Sequence, residues 1–158
     1  MFIKQISIFV ENKFGRIAKI IDILGEKNIN ISALSIADTT DFGILRLIVN
    51  KPEEAVAVLK ENGVMAKSTN VIAVAIDDQP GSLSNVLGTL TKAEITIEYM
   101  YAFVGKKEDK ALMVVRTDDM DKSIEAFKAG NIEIITSADV YWLVVKEEIC
   151  SGFFFFYV

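Results

Sequence analysis

Ile6-Ser7-Ile8-Phe9-Val10-Glu11-Asn12-Lys13-Phe14-Gly15-Arg16-Ile17 lies over Ile72-Ala73-Val74-Ala75-Ile76-Asp77-Asp78-Gln79-Pro80-Gly81-Ser82-Leu83 at a constant offset of 66 residues. Apolar, acidic and glycine positions coincide. The register continues through Ile20/Val86, Ile21/Leu87, Leu24/Leu90 and Asn30/Thr96. A repeat of this length is too long for a helical-hairpin array and contains a complete small domain. Two domains are therefore expected, 1–68 and 69–143, with residues 144–158 beyond the repeat.

Each half reads as βαββαβ. In the first, residues 3–10 alternate, with Ile6, Ile8 and Val10 on one face. A polar turn follows at Glu11 to Gly15. Ile17, Ile20, Ile21 and Leu24 then form the stripe of an amphipathic helix that stops near Asn28. Strands are expected at Ile29–Ala37 and Ile44–Asn50, and Pro52 opens a second helix. Val64 to Lys67 makes a short fourth strand. The second half repeats this order with strands at Val71–Ile76, Ile95–Phe103, Ala111–Arg116 and Ile132–Ile135, and Asp118 or Asp119 caps its second helix.

This order predicts an α+β fold: two ferredoxin-like plaits, each an antiparallel sheet in the order 4-1-3-2 with both helices on one face. Ile29–Ala37 and Ile95–Phe103 would then be long apolar edges, which are poor surfaces to leave in water. Pairing them would join the halves side by side into an eight-stranded sheet. The junction at Ser68-Thr69 has no Pro/Gly-rich linker, which favours tight packing over two separate beads.

Composition restricts the function. The net charge of −5 and a pI near 4.8 oppose nucleic-acid binding, which needs a basic face. A lone cysteine, Cys150, cannot form an internal disulfide and suits a reducing cytoplasm. No stretch approaches the roughly 18 apolar residues of a membrane span, and the N-terminus alternates like a strand rather than a signal peptide. Histidine is absent, and with it the usual general base and zinc ligand. No enzyme, metal or cofactor is expected.

The duplicated turn is where chemistry is expected. Its glycine lets the chain enter a helix whose first N–H groups are unpaired, a dock for a small carboxylate. An Asn or Asp oxygen just before them can accept from an ammonium group. A plain N-cap with a tight turn explains the same residues equally well.

The order βαββαβ, the acidic-Asn/Asp-x-x-Gly-x-Ile/Leu turn and Asn28-Ile29-Asn30-Ile31 together resemble an ACT domain. The first copy is similar to the regulatory ACT domain of phosphoglycerate dehydrogenase, and the chain to about Leu143 is similar to stand-alone tandem ACT proteins. The resemblance implies a regulatory protein that binds a free amino acid between the turn of one domain and strand 2 of its neighbour. One pocket would use Asn12, Phe14, Gly15, Arg16 and Ile17, facing Thr96. The other would use Asp78, Gln79, Pro80, Gly81, Ser82 and Leu83, facing Asn30. Amides near Gly15–Ile17 and Gly81–Leu83 would hold the carboxylate, and Asn12 or Asp78 the ammonium. Phe14 departs from the proline common in this turn, which Pro80 keeps, and Thr96 replaces an asparagine. The implied partners are an amino acid, a second copy of the chain and a metabolic enzyme. The alternative is a structural or protein-interaction module without a ligand.

Three further features have simpler readings. Tyr99, Tyr101 and Phe103 read as core or interface packing rather than a base-stacking strand, because the chain is acidic. Lys106-Lys107-Glu108-Asp109-Lys110 reads as a solvated turn, and Asp118-Asp119-Met120-Asp121 as acids at a helix start. The tail Phe153-Phe154-Phe155-Phe156-Tyr157-Val158 is too apolar for a solvated terminus and suits an added edge strand, a groove cover or a dimer contact.

Overall fold

The computed structural model describes residues 1–38, 41–107 and 109–140. The tail, with Cys150 and the phenylalanine run, lies outside the described residues. Eleven elements follow in the order β1 (Ile3–Glu11), α1 (Arg16–Glu26), β2 (Ile31–Asp38), β3 (Phe42–Val49), α2 (Pro52–Glu61), β4 (Ala66–Asp77), α3 (Ser82–Lys92), β5 (Ile97–Lys107), β6 (Lys110–Thr117), α4 (Met120–Ala129) and β7 (Glu133–Ile135). The strands form a seven-stranded antiparallel sheet, β2-β3-β1-β4-β6-β5, with β7 also on β4. Each half thus has the 4-1-3-2 order of the ferredoxin-like plait.

The halves are not joined by pairing their second strands. They share β4 instead. Residues Ala66 to Val71 pair with β1 as the fourth strand of the first half. Ile72 to Asp77 pair with β6 as the first strand of the second half. The polar stretch Ser68-Thr69-Asn70 stays extended because Ile6, Gln5 and Lys4 of β1 supply its ladder partners. The junction expected at Ser68-Thr69 therefore falls inside a continuous strand.

The sheet then folds over on itself. Alternation along each strand gives it two apolar faces. One face of the first half (Ile6, Ile8, Leu45, Leu47) packs against Ile20, Leu24, Ala55 and Leu59 of α1 and α2. The equivalent face of the second half (Ile72, Val74, Val115) packs against Val86, Leu90, Ile124 and Phe127 of α3 and α4. The opposite faces meet each other, with Ile3, Ala33 and Ile48 against Ala73, Leu112 and Val114, and with Tyr99, Tyr101 and Phe103 around them. The aromatic strand is thus interface packing. End strands β2 and β5 lie against each other at this seam without a ladder between them.

A polar latch crosses the seam. Gln5 is 0% exposed. Its Nε2 donates to Ser7 Oγ and to Tyr99 OH, both at 2.9 Å, and Tyr101 OH donates to its Oε1 at 2.8 Å. The Arg46 guanidinium lies 4.0 Å over the Tyr99 ring. Burial, reinforced by neighbouring Tyr99, pushes the Tyr101 phenol above its ordinary value, although Arg46 opposes the shift.

The repeat recurs in fine geometry. Asn28 and Glu94 both have positive φ after the first helix of their half (51° and 55°). A bulge interrupts β2 between Ile31 and Ala33, and β5 between Ile97 and Tyr99. The second β-hairpin is two residues longer, so equivalent positions differ by 68 from there on. Gly63 and Asn131 consequently match as the positive-φ residues after α2 and α4. At the start of α4, Asp119 accepts from the Lys122 N–H at 2.9 Å, so the acids cap this helix as their position predicted.

Candidate functional site

The two turns close with the same backbone bonds, although the first helical bond differs, Lys19 donating to Gly15 and Ser84 to Gly81. In the first, the Lys13 N–H donates to the Glu11 carbonyl at 2.7 Å and the Arg16 N–H to the Lys13 carbonyl at 3.2 Å. In the second, Gln79 donates to Asp77 at 2.8 Å and Ser82 to Gln79 at 3.2 Å. Gly15 and Gly81 occupy the left-handed region at φ 75° and 92°, where a side chain is strained. Neither helix has a side-chain N-cap. Among the described residues, the Ile17 and Leu83 N–H groups have no backbone acceptor. Each turn therefore presents an uncapped helix N-terminus with a free amide, suited to an anion.

The other half of each expected pocket is also formed, but within its own domain. The Asn30 N–H donates to Asn50 Oδ1 at 3.0 Å, and its side-chain oxygen accepts from the Ile31 N–H at 3.0 Å. At the equivalent place the Thr96 N–H donates to Asp118 Oδ1 at 3.0 Å. Burial works against the Asp118 carboxylate, but N–H groups of Thr96 and Asp119 hold it below its ordinary value. Asn12, Phe14, Gly15, Arg16 and Ile17 share one turn, and Asp78, Gln79, Pro80, Gly81, Ser82 and Leu83 the other. The Asn12 N–H is fastened to the Asp41 carbonyl at 3.0 Å, at the end of β3 opposite Asn50. Turn and strand-start residues of one half thus stand at opposite ends of its sheet.

Beside the first turn lies a cavity of about 380 Å³. Of the thirteen expected site residues, Arg16 alone borders it. Phe9 and Phe42 wall one side as a stacked pair with ring centroids 5.1 Å apart. The turn from α2 into β4 adds Gly63 and Met65 to the lining. Arg16 and Lys19 supply cations from the first turns of α1. Glu11 accepts from both Lys13 (3.0 Å) and Arg16 (3.1 Å), and these bonds, led by Lys13, hold its carboxyl below the ordinary range. Sequence reasoning passed over Phe9, Lys19, Phe42 and Met65 because they converge only through the β1–β3 ladder and the α2–β4 turn.

Among the described residues no group of metal-ligating side chains forms, and no helix is long and apolar enough to cross a membrane. The comparison with curated proteins gives no significant match. Protein BT0572 from Bacteroides thetaiotaomicron is 42% identical, with a TM-score of 0.84, over 89% of this chain and 96% of that one. The ligand-free regulatory subunit of aspartate kinase from Thermus thermophilus shares the fold at 14% identity, TM-score 0.58, over 80% of this chain and 91% of that one. The corresponding subunit from Thermus flavus is similar at 15% identity and TM-score 0.56, over 80% and 91%. The ACT domain pair family matches residues 1–144, which include both plaits and both turns. The chain belongs to the ACT domain pair family.

Proposed function

We propose that this protein is a non-catalytic sensor of a free amino acid, built from two ACT units that share β4. The observation that carries the reading is the duplicated uncapped turn, with its left-handed glycine and unpaired amide at Ile17 or Leu83. The ligand carboxylate docks on these amides, and Asn12 or Asp78 receives its ammonium. The strand completing each pocket comes from a second chain: β2 of one copy pairs beside β5 of another, giving the side-by-side sheet and a homodimer. Leu34 and Ile36, each 48% exposed on β2, support burial of this edge. Thr96 and Asn30 at the strand starts then face the turns of the partner chain. Ligand binding shifts the packing between chains by as much as its affinity differs between the two arrangements.

The same apolar edge supports a second reading, a protein-interaction module of an amino-acid metabolic enzyme that binds no ligand. Capture from native cytoplasmic lysate, with and without an amino-acid pool, separates the two. A sensor's partner set or yield changes with the pool, whereas an interaction module ignores it.

A further inference from the structure

The cavity beside α1 is not part of the duplicated plan. Phe9, Lys19, Phe42 and Met65 correspond to Ala75, Asn85, Lys110 and Glu133 in the second half. There, Lys110 and Glu133 form an ion pair at 2.5 Å where the first half has an aromatic ring and a thioether. Two copies of one fold have thus diverged at one place: the first carries an aromatic wall and added positive charge, the second a closed salt bridge.

Lys19 stands apart from the ion pairs of the turn. Glu11 is matched against Lys13 and Arg16, and Lys19 makes no ion pair among the described residues. Arg16 has further donors beyond the one given to Glu11. The Phe9–Phe42 pair and Met65, which is 74% exposed, line the same cavity as Arg16 and Lys19. The volume of about 380 Å³ is within the range of small-molecule sites.

We propose that this cavity is a separate binding site for a small monocarboxylate with an aromatic or branched apolar body and no ammonium group. Its carboxylate bridges Lys19 and Arg16, and its body lies on the Phe9–Phe42 stack and under Met65. An α-ammonium group is disfavoured because the acceptor at the rim, Glu11, is already shared by two cations and surrounded by positive charge. The site is independent of the turn amides assigned to the amino-acid ligand.

Phenylacetate and L-phenylalanine, titrated into the full chain and followed by amide-resolved NMR, test this. Phenylacetate is expected to shift signals of Lys19, Phe42 and Met65 saturably. Lys19→Gln is expected to weaken it about tenfold, the size of one charge-assisted hydrogen bond. Phe42→Ala weakens it similarly, Asp78→Ala leaves it unchanged, and L-phenylalanine binds this locus at least about tenfold more weakly than phenylacetate. Lys19 is exposed, so its variant is expected to keep the wild-type spectrum elsewhere. No saturable shift at these residues, an unchanged affinity in Lys19→Gln, or equal affinity for the two probes overturns the proposal. Loss of amino-acid binding at the turns in Asp78→Ala bears on the sensor reading alone.

Discussion

Gln5→Ala probes what holds the two halves face to face. Gln5 is fully buried and makes three hydrogen bonds, two of them to Tyr99 and Tyr101 of the other half. Each is worth about 1 kcal/mol net. Truncation also leaves the Tyr101 hydroxyl unpaired in the seam, a further ~1–3 kcal/mol. The expected loss is about 4–6 kcal/mol, a large share of the ~5–15 kcal/mol typical of a folded chain. A double-mutant cycle with Tyr101→Phe isolates the cross-seam term. The second mutation removes the orphaned hydroxyl, so the pair couples by about 1–2 kcal/mol. Urea unfolding followed by near- and far-UV circular dichroism measures both quantities. A loss below about 1 kcal/mol, or additivity within ~0.5 kcal/mol, would refute the claim that this latch fixes the halves.

Other consequences follow from single positions. Gly15→Ala and Gly81→Ala each place a side chain at positive φ without a clash, so thermal unfolding should show a loss of about 1–2 kcal/mol from backbone strain alone. Gly25→Ala, in open space within α1, should instead gain about 0.5–1 kcal/mol. Asp119→Ala removes the α4 cap and should cost about 1 kcal/mol in the same assay. The Asp118 carboxylate is held below its ordinary 3.8, so the stability it contributes is present above that value and lost as pH falls through its lower folded value. In acid unfolding, the difference between wild type and Asp118→Asn should be constant at higher pH and shrink only below about that point. A difference that grows on acidification contradicts the assignment.

Much of the fold was legible because periodicity and repeat agreed. Ile6, Ile8 and Val10 marked one sheet face, Ile20 and Leu24 the helix covering it, and the same residues recurred in the second half. The continuity of β4 was hidden, because Ser68, Thr69 and Asn70 read as a polar junction and only the β1 ladder makes them strand. The folding of sheet on sheet did leave a signal. Val71 to Ile76 is apolar at every position rather than alternating, which is the pattern of a strand covered on both faces. On β1 that signal was masked, since Gln5 and Ser7 look solvent-facing until Tyr99 and Tyr101 arrive from the far half. The turns were visible as motifs. The cavity was not, because Lys19 and Met65 are brought together only by the α2–β4 turn.

The central claim is that the duplicated turns bind a free amino acid. Isothermal titration of the full chain against each of the twenty amino acids measures it directly. Saturable binding of at least one is expected, weakened by Asn12→Ala, by Asp78→Ala or by both. No binder at millimolar concentration, or binding untouched by both substitutions, contradicts it.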